Sequence, residues 1–250
     1  FLHSFFDSSN QKKEMNFDLF KRCVDKTPKN TVIEFAGFVE PFLAKDVIKM
    51  MEYTYSTGRE MTLFTTLVGC DLDKFHKIED LPFRYVVLHL PDIHNYANIP
   101  ITDAYVELLY YLLNKRKPDG SPFIDKANCQ AEPNPIIAKM LKDKVMISGD
   151  LVDRAGNLQQ ESMLQSNKDN QGSIYCDRAA RLDHNILLPD GRVVLCCMDF
   201  GMNHVLGNLL EDSWKDIHFG EEMKKIKAGM CSIESTDIVL CRRCTSGVRG

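Results

Sequence analysis

Apolar positions along the first 150 residues alternate between two periods. From Asn16 the period is helical, with Phe17, Phe20 and Val24 on one stripe that ends between Lys26 and Pro28. Thr31 to Phe35 is β-branched and predicts a strand, and a second helix follows from Lys45 with Val47, Met50, Met51 and Tyr55 on one face and Gly58 just past its end. The alternation then runs through a strand at Met61 to Thr66, a helix at Leu72 to Ile78 and an apolar strand at Tyr85 to Leu90. A helix at Asp103 to Asn114, a weaker strand at Phe123 to Cys129, a helix opened by Asn134 and Pro135 and a strand at Val145 to Ile147 complete it. Strands and helices taking turns at this spacing predict βαβ units around a parallel sheet.

The pattern changes after Ser148. Residues 149–172 are rich in Gly, Asn, Gln and Ser without sustained periodicity and read as a connector. A hairpin is predicted at Asn185 to Leu188 and Arg192 to Cys196, turning at Pro189-Asp190-Gly191. Short helices follow at Ser213 to His218 and Glu221 to Ala228, with Gly229 placed to end the second. The expected organisation is a core over 1–150 and a small domain over 151–250. So few large apolar residues make a marginal core, and small domains of that kind usually rely on a metal or on disulfides.

Composition narrows the picture. With 44% hydrophobic and 26% charged residues the chain is ordinary globular protein, and a formal net charge of −4 gives no electrostatic reason to expect nucleic acid. No apolar run is long enough to cross a bilayer and the first residues lack a signal-peptide layout, so no membrane partner is expected and the location is cytoplasmic. An odd number of cysteines, nine, gathered late in the chain, suits ligands in a reducing compartment better than a secreted disulfide framework. Beginning at Phe1 rather than Met, the chain reads as a piece of something longer.

Six of those cysteines fall between Cys176 and Cys244. Cys176 precedes the hairpin, Cys196 and Cys197 end it, Cys231 stands alone and Cys241-x2-Cys244 closes the set. A Cys-x2-Cys pair turns two thiolates toward one point, and a cysteine at the end of a hairpin strand can complete a four-sulfur site. Ligand type alone leaves zinc and an iron–sulfur cluster both open, and buried inert cysteines are the plain alternative.

These segments, in this order, resemble the radical S-adenosylmethionine (radical SAM) enzymes that carry a C-terminal SPASM or twitch domain. Phe38-Val39-Glu40-Pro41 resembles the family's Gly-Gly-Glu-Pro, and Thr65, Thr66 and Gly69 resemble its Thr-Thr-Asn-Gly. Arg154 to Asn157 resembles the Arg-Ala-Gly-Asn before the SPASM cysteines, and Cys176, Asp190-Gly191, Cys196-Cys197, Asp199, Gly207 to Leu209 and Cys241-x2-Cys244 follow the SPASM layout. The resemblance implies an α/β fold: a partial (β/α)6 TIM-like barrel lacking its first strand, plus a small cysteine-rich domain. It implies an auxiliary [4Fe–4S] cluster on Cys176, Cys196, Cys241 and Cys244, with the Gly-x4-Cys spacing selecting Cys196 over Cys197. Cys23, Cys70, Cys129 and Cys231 are left as structural.

For the cofactor, the resemblance implies S-adenosylmethionine bound by Gly37, Phe38, Glu40, Pro41, Thr65 and Thr66, with His89 reaching the ribose or substrate and Arg154 pairing with the cofactor carboxylate. The residue types leave alternatives at each position: a solvated loop carboxylate at Glu40, a core histidine at His89, a surface arginine at Arg154. The Cys-x3-Cys-x2-Cys motif that binds the catalytic [4Fe–4S] cluster is absent from the sequence and is expected before Phe1, so the segment is expected to be inactive as it stands. The implied reaction is reductive cleavage of S-adenosylmethionine to a 5′-deoxyadenosyl radical that abstracts hydrogen from a peptide or small-molecule substrate, with electrons from a flavodoxin or ferredoxin. A non-catalytic scaffold with structural zinc is the alternative.

Overall fold

The computed structural model describes residues 14–141, 147–148, 153–157, 170–234 and 239–250. It divides into two compact units, Pro28–Asp150 and a second made of Phe1–Thr27 together with Leu151–Gly250. The first helix among the described residues, α1 (Phe17–Asp25), thus belongs to the C-terminal unit, not to the 1–150 segment where the strand–helix alternation put it. Asn16 caps α1 by accepting from Leu19 N–H at 2.9 Å, and Lys26 Nζ donates to the Asp212 carbonyl at 3.0 Å. Its buried Leu19 and Cys23 join a core with Ile174, Leu195, Leu206 and Ile226. An apolar stripe states that a face will be buried; which partner buries it depends on the rest of the fold.

The Pro28–Asp150 unit is built on β1 (Ile33–Phe35), β2 (Met61–Thr65), β3 (Phe83–Leu90), β4 (Lys126–Cys129) and β5 (Ile147–Ser148). They pair in sequence order and all in parallel, the arrangement of a wall of an α/β barrel. Between them run a 3-10 turn (Pro41–Leu43), α2 (Val47–Ser56), α3 (Leu72–Phe75), α4 (Asp103–Asn114) and α5 (Pro135–Leu141). Val86, Val87, Leu88 and Leu90 of β3 are all buried, as a parallel strand covered on both faces requires. Each helix starts beyond the C-terminal end of a strand, so those ends gather the loops at 36–46, 66–71 and 91–102 on one rim.

In the C-terminal unit, β6 (Ile174–Cys176) pairs antiparallel with β10 (Gly247–Arg249), placing Cys176 opposite Gly247. β7 (Ile186–Leu187), β8 (Arg192–Val194) and β9 (Val205–Asn208) form an antiparallel meander. At the hairpin tip Gly191 has φ of 89°, and a Cβ there would meet Asn208 Oδ1 at 2.5 Å and the Leu210 side chain at 2.6 Å. Asp190-Gly191 and Gly207 to Leu209 are therefore one contact seen twice in the sequence, closed by Leu209 N–H donating to the Gly191 carbonyl at 2.9 Å. Beyond β9 come α6 (Trp214–Phe219), opened by a Ser213–Asp216 capping box, α7 (Glu221–Cys231) and a 3-10 turn, Leu240–Arg242. Gly229, expected to end α7, lies inside it, because its carbonyl and that of Ser232 are taken up by the Arg242 guanidinium.

Candidate functional site

Cys176, Cys196, Cys241 and Cys244 line one cavity of about 40 Å³, together with Arg178, His184 and Met198. A single water needs roughly 10–15 Å³, so these residues leave open a space larger than one water. Burial pushes the Cys196 thiol up to about 12, the neighbouring Cys197 and Cys244 adding to it. Burial also pushes Cys241 up to about 12, helped by Cys196, Cys244 and Cys176. Such thiols ionise only when a bound cation or cationic core supplies the opposite charge. Ser246 N–H already donates to Cys244 Sγ at 3.4 Å, a bond of the kind that favours a metal-bound thiolate.

Tetrahedral bonds of about 2.3 Å to one zinc ion would put the sulfurs roughly 3.8 Å apart. Among the described residues no group of three or more Cys, His, Asp or Glu is drawn together tightly enough to hold a single ion. The convergence on one ion that four thiolates at zinc distances would show is therefore not found. A multi-iron core is wider than an ion and takes its ligands at its corners, so it suits thiols spaced around a void. Cys197 also lines the cavity, so lining by itself does not choose between it and Cys196.

The loops that carry these thiols are held from behind. Asp199, fully buried, accepts from Asn203 N–H and His204 N–H, both at 2.8 Å, and closes the turn after Cys196. His204 Nε2 accepts from Leu240 N–H at 3.1 Å, so the ring proton is on Nδ1 and is donated to Glu222 at 2.8 Å. That relay fixes the turn bearing Cys241 against α7. Arg154, at φ 52°, donates to the Cys197 carbonyl at 3.2 Å and lies 5.7 Å from the Phe200 ring. These contacts place it on the segment that follows Cys196. Asn157 secures the same segment through the Met198 carbonyl at 3.2 Å.

The other candidate residues gather at the strand ends of the Pro28–Asp150 unit. Glu40 caps the 3-10 turn and accepts four hydrogen bonds: Oε1 from Phe42 N–H at 3.1 Å and the Thr65 hydroxyl at 2.7 Å, Oε2 from Thr66 N–H at 2.6 Å and its hydroxyl at 2.7 Å. Glu40, Thr65 and Thr66 thus form one structure across the ends of β1 and β2. Gly37 is exposed with φ of 121°, open for a ligand to approach its backbone, whereas Phe38 is buried. His89, one residue before the end of β3, is half-buried opposite Asn128 with its ring 6.5 Å from Phe64.

Tyr105 was not among the expected residues. It stands in the first turn of α4, on the same rim, 5% exposed, and its hydroxyl is fully buried without a partner. Burial raises its pKa, with Cys129 and Glu40 adding to the shift. A buried polar atom left unpaired at a strand-end rim fits a missing ligand. An aromatic on the buried stripe of a helix carries no sequence signal that separates this role from core packing.

Residues 176–245 match the SPASM family, described as an iron–sulfur cluster-binding domain. No curated protein matches the chain. Among solved structures, BtrN in complex with AdoMet and 2-DOIA is similar at TM-score 0.56 and 15% identity, over 90% of this chain and 78% of that one. BtrN in an open conformation gives TM-score 0.52 at 14% identity, over 92% and 80%. Native anSMEcpe with bound AdoMet and Kp18Cys peptide gives 0.50 at 13%, over 92% and 78%. These are radical SAM enzymes, and at such identities the likeness is one of fold. The chain has the α/β, TIM-like fold of radical SAM enzymes. The family matched by residues 176–245 is one that binds an iron–sulfur cluster. No helix among the described residues is long and apolar enough to cross a membrane.

Proposed function

We propose that this chain forms the body of a radical SAM/SPASM oxidoreductase that abstracts hydrogen from a peptide or a small sugar- or cyclitol-like substrate. The observation that carries the reading is the enclosure of one cavity by Cys176, Cys196, Cys241 and Cys244 within the matched domain. In it these four thiolates hold one auxiliary [4Fe–4S] cluster, the Gly191-x4-Cys196 spacing preferring Cys196 to Cys197, which lines the same cavity. Gly37 and Glu40 with Thr65 and Thr66 form the cradle for S-adenosylmethionine, which supplies the hydrogen-abstracting chemistry when bound at its own cluster. Phe38 and Pro41 fix the path of that cradle, and His89 contacts the ribose or substrate. Electrons come from a reductant protein such as a flavodoxin or ferredoxin, and the work is done in the cytoplasm.

Anaerobic reconstitution tests the reading directly. The chain is expected to take up iron and acid-labile sulfide in equal amounts and turn brown. Cys196→Ser should lose most of that iron and Cys197→Ser should keep it. A colourless protein holding one zinc per chain would return the structural-zinc scaffold, and iron lost from Cys197→Ser alone would move the fourth ligand by one residue.

A further inference from the structure

Arg242 lies between two of the cavity cysteines and is among the largest fully buried side chains, 2% exposed. A guanidinium has five N–H donors, and here every one goes to a backbone carbonyl. Nε donates to Gly229 at 3.0 Å, Nη2 to Gly229 at 2.6 Å and Ser232 at 2.8 Å, and Nη1 to Gly172 at 3.0 Å and to Asn170. Its hydrogen bonds are complete. Its charge is not: among the described residues no carboxylate is paired with it. Carbonyl dipoles at the end of α7 offset part of a positive charge, but burying a whole one ordinarily calls for an anion.

The anion nearest in the chain is the sulfur site itself. Cys241 immediately precedes Arg242 in the same 3-10 turn and Cys244 follows it by two residues, both buried. A cluster held by four thiolates is anionic and gains a further negative charge on reduction. A buried cation carried on the turn between Cys241 and Cys244 favours the more negative state, in the same sense as Arg178, which lines the cavity and whose charge lowers the Cys244 pKa. Arg243, the next residue, is exposed and lacks this leverage.

We propose that Arg242 is the buried counter-ion of the cluster held by Cys176, Cys196, Cys241 and Cys244, and that its charge raises the potential at which the cluster accepts an electron. The proposal rests on the iron–sulfur reading above. The competing account is that Arg242 only bolts 170–172 and the end of α7 to the cysteine turn. Lysine and glutamine separate the two, since each gives up part of the five-bond fork but only lysine keeps the charge.

The experiment loads wild type, Arg242→Lys, Arg242→Gln and Arg243→Gln anaerobically with iron and sulfide. It measures iron per chain and the midpoint potential by redox titration followed by electron paramagnetic resonance. Arg243→Gln and Arg242→Lys should hold the cluster near the wild-type potential. Arg242→Gln should either fail to hold it or titrate lower, by about a tenfold change in the reduced-to-oxidised ratio, some 59 mV for one electron. A glutamine variant at the wild-type potential would overturn the counter-ion role, as would equal iron loss from the lysine and glutamine variants. Wild type without iron would instead sink the cluster reading, and this proposal with it.

Discussion

Thr66 grips the Glu40 carboxylate twice, its backbone N–H and its hydroxyl reaching the same Oε2 at 2.6 and 2.7 Å. With Thr65 and Phe42 on the other oxygen, the carboxylate ties the end of β2 to the turn that follows β1. Glu40→Gln presents an amide NH2 where an oxygen accepted two donors. It should destabilise the chain by about 1–3 kcal/mol, measured by denaturant unfolding. On the proposed function, S-adenosylmethionine retention in equilibrium dialysis should fall as well. Unfolding like wild type would mean that the four bonds do not hold these ends together.

Tyr105→Phe should behave in the opposite sense. Removing a hydroxyl that has no partner should leave stability unchanged or raise it by about 1 kcal/mol. If the hydroxyl serves the proposed cofactor site, S-adenosylmethionine binding weakens several-fold in the same variant. A loss of stability would show that the hydroxyl is satisfied within the protein.

Gly247 faces Cys176 across the β6–β10 pair, and a Cβ on it would meet the Cys241 carbonyl at 2.1 Å. The obstacle is backbone, not a side chain that can swing away. Gly247→Ala should cost about 3 kcal/mol, the upper end for overpacking, and should lower iron retention because the displaced carbonyl belongs to a ligand residue. Calorimetry and iron analysis on one preparation would check both.

Glu79 links the α3 region to α4. Lys115 Nζ donates to it at 2.8 Å and the Tyr111 hydroxyl at 2.5 Å, and these bonds, Lys115 first, hold its carboxyl down at about 2. Its pKa in the unfolded chain is about 4.3, so the stabilisation is fully present above that value and is lost as pH falls through about 2. Because water reaches the pair, the effect should be roughly 1 kcal/mol. An acid titration of stability should be shallower in Glu79→Gln between about pH 4 and 2; parallel curves would remove Glu79 from acid unfolding.

Much of the β/α alternation was readable because it depends on local period. The α4 span Asp103–Asn114 and the helix stop at Gly58 follow from residues close in sequence. What escaped depends on distant partners. The side of the molecule that buries α1 is set by Ile174 and Leu206. The extension of α7 through Gly229 is set by Arg242, thirteen residues on. The sulfur cavity was visible as spacing and Asp199 as part of the SPASM layout, whereas the His204–Glu222 relay behind it uses residue types that occur everywhere.

Because α1 completes a unit whose remaining parts begin after residue 150, the parallel-sheet unit is inserted into it along the chain. During synthesis α1 is made well before Ile174, Leu206 and Ile226, which bury it, and waits for them on the order of ten seconds or more at about 5–20 residues per second. Its apolar face is uncovered for that interval. A fragment starting at residue 151 would expose the matching surface permanently, so cutting the cysteine-rich unit out by its contiguous boundaries should give aggregation-prone material, and fusing residues 14–27 to it should restore solubility.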